Sequence, residues 1–133
     1  MALFNNGFTL YESELPPSAK IGGALPVTFS WGSASGSHED TVQFLHLRHE
    51  DSGAWWVYDQ QPLGARLPSR LWYDGLFDSE TWEIPVPAEL APGVYAVYTG
   101  LYRSSDQERL PATDADGKPF VNGRIPLGRL SLE

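Results

Sequence analysis

The sequence predicts an all-β fold built as a two-sheet antiparallel sandwich of about seven to nine strands. Three observations carry that prediction. No segment sustains a 3.6-residue apolar period, and the apolar residues instead come in short alternating runs. Thirteen Gly and eleven Pro, with clusters of Asp, Ser and Asn, break those runs. The runs are about seven, at the spacing expected of sheet packed on sheet.

Taken in order, the strands are expected at Phe8–Glu14, 26–31, Thr41–His49, Trp55–Gln60, 80–86, 94–103 and Ile125–Leu132, with "ERLPA" (108–112) as a short extra. In "PVTFSWG", Val27, Phe29 and Trp31 share one side and Thr28 and Ser30 the other, so this strand is half buried and Trp31 belongs to the core. In "GVYAVYTGLYR" both sides carry bulk, which marks a central strand. Pro126 lacks an N–H for the ladder, so the last run is an edge strand or holds a bulge. "AELAPGVYA" places Tyr95 just after the Pro92-Gly93 turn, where its hydroxyl reaches back to the backbone. That is the tyrosine corner of immunoglobulin-like sandwiches.

Length and charge bound the rest. The 133 residues are read as one domain, 1–133, burying roughly two thirds of the surface of the unfolded chain. Leu132-Glu133 reads as a scar joining a cloned fragment to a tag, so the domain is expected to be cut from something longer. A net charge of −8 opposes binding to nucleic acid, whose phosphates require clustered Lys and Arg. No apolar run approaches the ~18 residues of a membrane span, so this fragment is expected to be soluble, without membrane insertion. Without cysteine there is neither a disulfide framework nor a thiolate metal site.

The hairpin 41–60 is where a site is expected. If "EDSG" (50–53) is a four-residue loop, Arg48 pairs with Trp55, Leu47 with Trp56, His46 with Val57, Leu45 with Tyr58 and Phe44 with Asp59. Trp55 and Trp56 then point to opposite faces. Trp56 and Tyr58 face the main core; Trp55, Val57 and Asp59 face outward. His46 and Asp59 become diagonal neighbours. A carboxylate beside an imidazole invites a general-base reading, but nothing marks a nucleophile, and the pair is read as structural. The serines lie in turn-like clusters such as "GSASGS".

His38, His46 and His49 lack the spacing of a helical zinc motif, and Asp114 and Asp116 of "TDADGK" read as a surface turn rather than a calcium loop, so no metal and no cofactor is expected. Ligand-binding residues, if this is a carbohydrate-binding module, are Trp55, Arg48, Asp59 and Trp72; the structural set is His46, Asp59, Tyr95, Trp31 and Trp56. The segment 61–79, rich in leucine and tryptophan, is expected to fold over the outer face of the hairpin and bury Phe44, His46, Trp55 and Val57 in a second small core.

The ordered set "FLHL" (44–47), Gly53, Asp59, Pro62, "PSRLWYDG", "PVPAELAPGVY", "GLY" (100–102), "RLP" (109–111) and "PLGRLSL" resembles the C-terminal β-sandwich domain of polytopic glycosyltransferase-like membrane proteins, notably of Chloroflexi. The resemblance implies a non-catalytic accessory or interaction domain of immunoglobulin or fibronectin type III type, on the extracytoplasmic side of the cell envelope. Its partners would be a glycan or another domain of the parent protein. It also implies that Phe44, His46, Asp59, Pro62, Trp72, Gly75 and Tyr95 are scaffold. The chain departs from the pattern at Trp55-Trp56 and in "DADGKPFVNGR" (114–124).

Overall fold

In the computed structural model, which describes residues 1–34 and 39–133, ten strands form two five-stranded sheets. The strands are β1 (Ala2–Phe4), β2 (Phe8–Glu14), β3 (Ser18–Ala19), β4 (Ala24–Ser33), β5 (Thr41–His49), β6 (Trp55–Gln60), β7 (Leu76–Pro85), β8 (Gly93–Arg103), β9 (Ala112–Thr113) and β10 (Ile125–Leu132). The first sheet runs β7-β4-β2-β1-β9 and the second β3-β10-β8-β5-β6. All pairings are antiparallel except β3 on β10. The sandwich is as expected, and the strand count exceeds the expected range because β1, β3 and β9 span only two or three residues, too few to show alternation in a sequence.

Alternation decides what lies between the sheets. Val27, Phe29 and Trp31 of β4 face Leu45 and Leu47 of β5 and Val97 and Leu101 of β8 across a closed apolar core. Trp31 is fully buried, and its Nε1–H donates to Gln43 Oε1 at 3.2 Å. Gln43 Nε2 donates to Thr99 Oγ1, which donates to the Phe44 carbonyl. This chain of bonds satisfies every polar group it takes out of water and ties one sheet to the other, which fixes their relative register.

The β5–β6 hairpin has the register expected from its loop, from Arg48 opposite Trp55 to Phe44 opposite Asp59. Trp56 and Tyr58 are half-buried against the core and Trp55, Val57 and Asp59 are exposed. Pro126 sits where the β8–β10 register shifts, a bulge. Tyr95 Oη donates to the Ala91 carbonyl at 2.6 Å, forming the tyrosine corner. His49 packs its ring on Tyr95 and joins this corner to the hairpin turn. Its Nδ1 accepts from the Ser52 N–H, so the proton is on Nε2, which donates to the Pro92 carbonyl. Gly93 is the one residue type that fits here, with φ at +135° and a Cβ position only 2.8 Å from His49 Nε2.

The 61–75 excursion goes elsewhere than expected. Leu63, Trp72 and Leu76 enter the main core, with the Trp72 ring 4.2 Å from Phe8 and 5.9 Å from Trp31. Trp72 Nε1 donates to the Leu67 carbonyl, and the short turn Ser69–Leu71 takes the Thr41 N–H onto Ser69 Oγ. The segment plugs one end of the sandwich because that is where its largest apolar groups find an unfilled core. The outer face of the hairpin is flanked instead by the 104–124 connection between β8 and β10. The expected burial holds for Phe44 and His46 and fails for Trp55 and Val57. Leu132 is buried in the core, and the Glu133 N–H donates to the Ala19 carbonyl. Among the described residues no helix is long and apolar enough to cross a membrane.

Candidate functional site

The outer face of the second sheet is made by alternate residues of three adjacent strands: Phe44, His46 and Arg48 on β5, Trp55, Val57 and Asp59 on β6, and Tyr98, Gly100 and Tyr102 on β8. Gly100 is central to it. A Cβ there would run into the Phe44 ring and the Gly123 carbonyl oxygen, so the absent side chain is what lets the 104–124 connection lie down on the sheet. The Leu110 N–H bonds to the Leu101 carbonyl and holds it there.

That connection delivers two arginines. The Arg109 guanidinium carbon stands 5.0 Å from the Phe44 ring, and Arg109 Nη1 donates to the Asn122 carbonyl. The Arg124 guanidinium carbon lies 4.4 Å from the Trp55 ring and 5.9 Å from that of Tyr98. From β5, Arg48 approaches the same indole at 5.9 Å. Two hollows result. One, of about 300 Å³, is lined by Arg48, Trp55, Tyr98, Val121, Asn122 and Arg124. The other, of about 290 Å³, is lined by Phe44, His46, Val57, Asp59, Tyr102, Gln107 and Arg109.

His46 sits between these groups. It is 8 % exposed, its ring is 4.2 Å from Phe44 and 6.0 Å from Trp55, and its Nδ1 has no hydrogen-bond partner. Burial first, then the charges of Arg124 and Arg109, push its pKa down to about 4 against the opposing pull of Asp59. The imidazole is therefore neutral at neutral pH. Asp59 accepts its hydrogen bond from Tyr102 Oη at 2.8 Å, and burial together with that carboxylate pushes the tyrosine up to about 12. The diagonal His46–Asp59 pairing is thus replaced by Tyr102–Asp59: a neutral imidazole offers the carboxylate no charge, whereas the tyrosine hydroxyl reaches it.

Of the residues singled out in the sequence, Trp55, Arg48 and Asp59 meet on this face, with His46 beside them. Trp72 does not: it is 2 % exposed in the core, because the excursion carrying it turns inward. Trp31 and Tyr95 are buried in the core, and Trp56 packs partly buried against it. Arg109, Arg124, Tyr98 and Tyr102 escaped the sequence reading, since each arginine lies alone in a loop and only the fold brings them over the sheet.

"TDADGK" forms a turn in which Asp114 Oδ1 accepts from the N–H groups of Asp116 and Lys118. Among the described residues no three His, Asp or Glu side chains are grouped to hold a metal. His38 and three residues of "GSASGS" lie outside the described residues.

No protein family matches the chain in sequence, and neither does any curated protein. Solved structures do match its fold. The C-terminal domain of Wzt is similar over 100 % of this chain and 77 % of that one, at a TM-score of 0.62 and 12 % identity. The alkylpurine DNA glycosylase AlkC of Pseudomonas fluorescens matches at a TM-score of 0.48 and 12 % identity, over 96 % of this chain and 30 % of its own. The β-glucosidase of Listeria innocua matches at 0.47 and 14 %, over 94 % of this chain and 16 % of its own. The likeness to the Wzt domain is one of fold: a β-sandwich that forms the C-terminal domain of another protein.

Proposed function

We propose that the chain is a non-catalytic accessory domain of a larger cell-envelope protein, of the glycosyltransferase-associated kind its sequence resembles, and that it holds a saccharide on the outer face of the second sheet. One observation carries this reading. Trp55 stays 45 % exposed at the edge of a hollow walled by Tyr98, Arg48 and Arg124, although Trp31, Trp72 and Trp82 are buried in the core. A large ring left half in water is costly unless something covers it, and an indole beside fixed polar donors matches the apolar face and hydroxyl rim of a pyranose. The fold shared with the C-terminal domain of Wzt supports the accessory role. The low basicity of the His46 imidazole and the engagement of Asp59 by Tyr102 support a binding rather than a catalytic reading of this face.

Calorimetric titration with a panel of bacterial-type oligosaccharides tests the proposal. Trp55→Ala should weaken binding on the order of tenfold or more, as loss of a stacked ring does, and should leave the unfolding midpoint nearly unchanged. A panel that produces no heat with the wild-type domain would remove the saccharide reading.

The interaction role has its own support on the opposite sheet. Tyr11 lies across Gly32 with its ring 5.4 Å from that of Phe77, which is 64 % exposed. This exposed aromatic pair suits docking onto another domain of the parent chain. Phe77→Ser should then weaken binding of that domain while leaving saccharide binding intact.

A further inference from the structure

The arginines of this acidic chain are divided sharply in their partners. Of seven, Arg66, Arg70, Arg103 and Arg129 each hold a carboxylate at 2.7–3.2 Å. Arg48, Arg109 and Arg124 hold none among the described residues, and these three are the ones on the outer face of the second sheet. In a chain of net charge −8, carboxylates are abundant, so their absence from one hollow is a property of that hollow. Asp59 belongs to the adjoining one, where Tyr102 engages it.

The arrangement is costly without a ligand. Arg124 Nε is buried and has no hydrogen-bond partner, and the nearby Arg109 charge opposes its own. The Trp55 ring, 4.4 Å from the guanidinium carbon, attracts the charge but offers its N–H donors no oxygen or nitrogen acceptor. The second, independent observation is His46, nine-tenths buried, lining the adjoining hollow with an unpartnered Nδ1.

We infer that the saccharide held here is acidic: a carboxylate, phosphate or sulfate substituent sits between Arg48 and Arg124 against Trp55, and His46 meets a hydroxyl in the adjoining hollow. This rests on the reading of the face as a saccharide site and names the ligand class. The anion supplies the acceptors that Arg124 lacks and offsets the repulsion between arginines, so binding and charge neutralisation are one event.

The test pairs acidic oligosaccharides bearing uronate, phosphate or sulfate with their neutral twins, such as trigalacturonate and its methyl ester, and adds sodium sulfate at constant ionic strength. Sulfate should shift the side-chain NMR signals of Arg48 and Arg124 and spare those of Arg66 and Arg129. At least one acidic sugar should bind on the order of tenfold more tightly than its twin. Arg124→Gln should close that gap, as should Arg48→Gln, an exposed position where folding is not at stake, and added salt should narrow it. The acidic group that binds best identifies which substituent is native.

Equal affinity for acid and twin would overturn this inference and leave the saccharide site standing. Sulfate shifts with no binding of any sugar would overturn both readings as stated, leaving a bare anion site. A sulfate titration without selective shifts, together with no preference among the sugars, would also overturn it.

Discussion

Tyr95 and His49 show how much of the fold rests on single polar contacts. The tyrosine hydroxyl donates to the Ala91 carbonyl, and burial pushes its pKa up. Tyr95→Phe removes the donor of this part-buried bond, so a loss of about 0.5–1.5 kcal/mol is expected in urea unfolding. His46 adds a pH dependence with a definite sign. The unfolded histidine takes up its proton near pH 6.5, the folded one only near 4. Between these values the unfolded chain binds more protons, so the contribution of His46 is fully present above 6.5 and is lost as the pH falls toward 4. The slope from this one group is no steeper than about 1.4 kcal/mol per pH unit. Urea midpoints at about pH 7.5 and about pH 5 should therefore fall further for the wild type than for His46→Gln. Parallel falls would place the cause in the carboxylates.

At the scale of elements, what the sequence made legible was what local rules control. A short loop between alternating runs specified the β5–β6 register, residue against residue, because a slip by one would turn Trp56 outward and Trp55 into the core. The proline bulge in β10 and the Tyr95 corner were legible for the same reason. The two long connections were not. Leucines and tryptophans announce that 61–75 is packed, but not on which surface, and its true site depends on a vacancy between two sheets formed by residues far away in sequence. Trp72→Ala would open a void beside Phe8 and Trp31 and should cost about 3–5 kcal/mol. A loss under 1 kcal/mol, measured by urea unfolding, would mean the plug is not part of the core. The 104–124 connection carries Arg109 and Arg124 with no local pattern to mark them. What positions them is Gly100, a gap in β8 whose purpose becomes visible only when Gly123 is seen resting on it.

Across the whole molecule, the two sheets divide the labour. Their inner faces share one core stitched by Trp31, Gln43 and Thr99, which accounts for stability and register. The outer face of the second sheet gathers three departures in one place: an exposed tryptophan, a buried histidine whose Nδ1 has no hydrogen-bond partner, and arginines without acids among the described residues. Departures of this kind from local consistency concentrate where a protein meets something else.

On the proposed reading, this face, and not the opposite sheet or the core, receives the ligand. The five tryptophan indole N–H signals report on it directly. Trp31 and Trp72 donate to Gln43 and Leu67, and Trp82 is buried, while Trp55 stands at the hollow. In a two-dimensional ¹⁵N spectrum recorded during titration with an oligosaccharide that binds, the Trp55 indole signal should move most, with those of Trp31, Trp72 and Trp82 nearly fixed. A titration that saturates while the Trp55 signal stays in place would put the ligand elsewhere on the molecule.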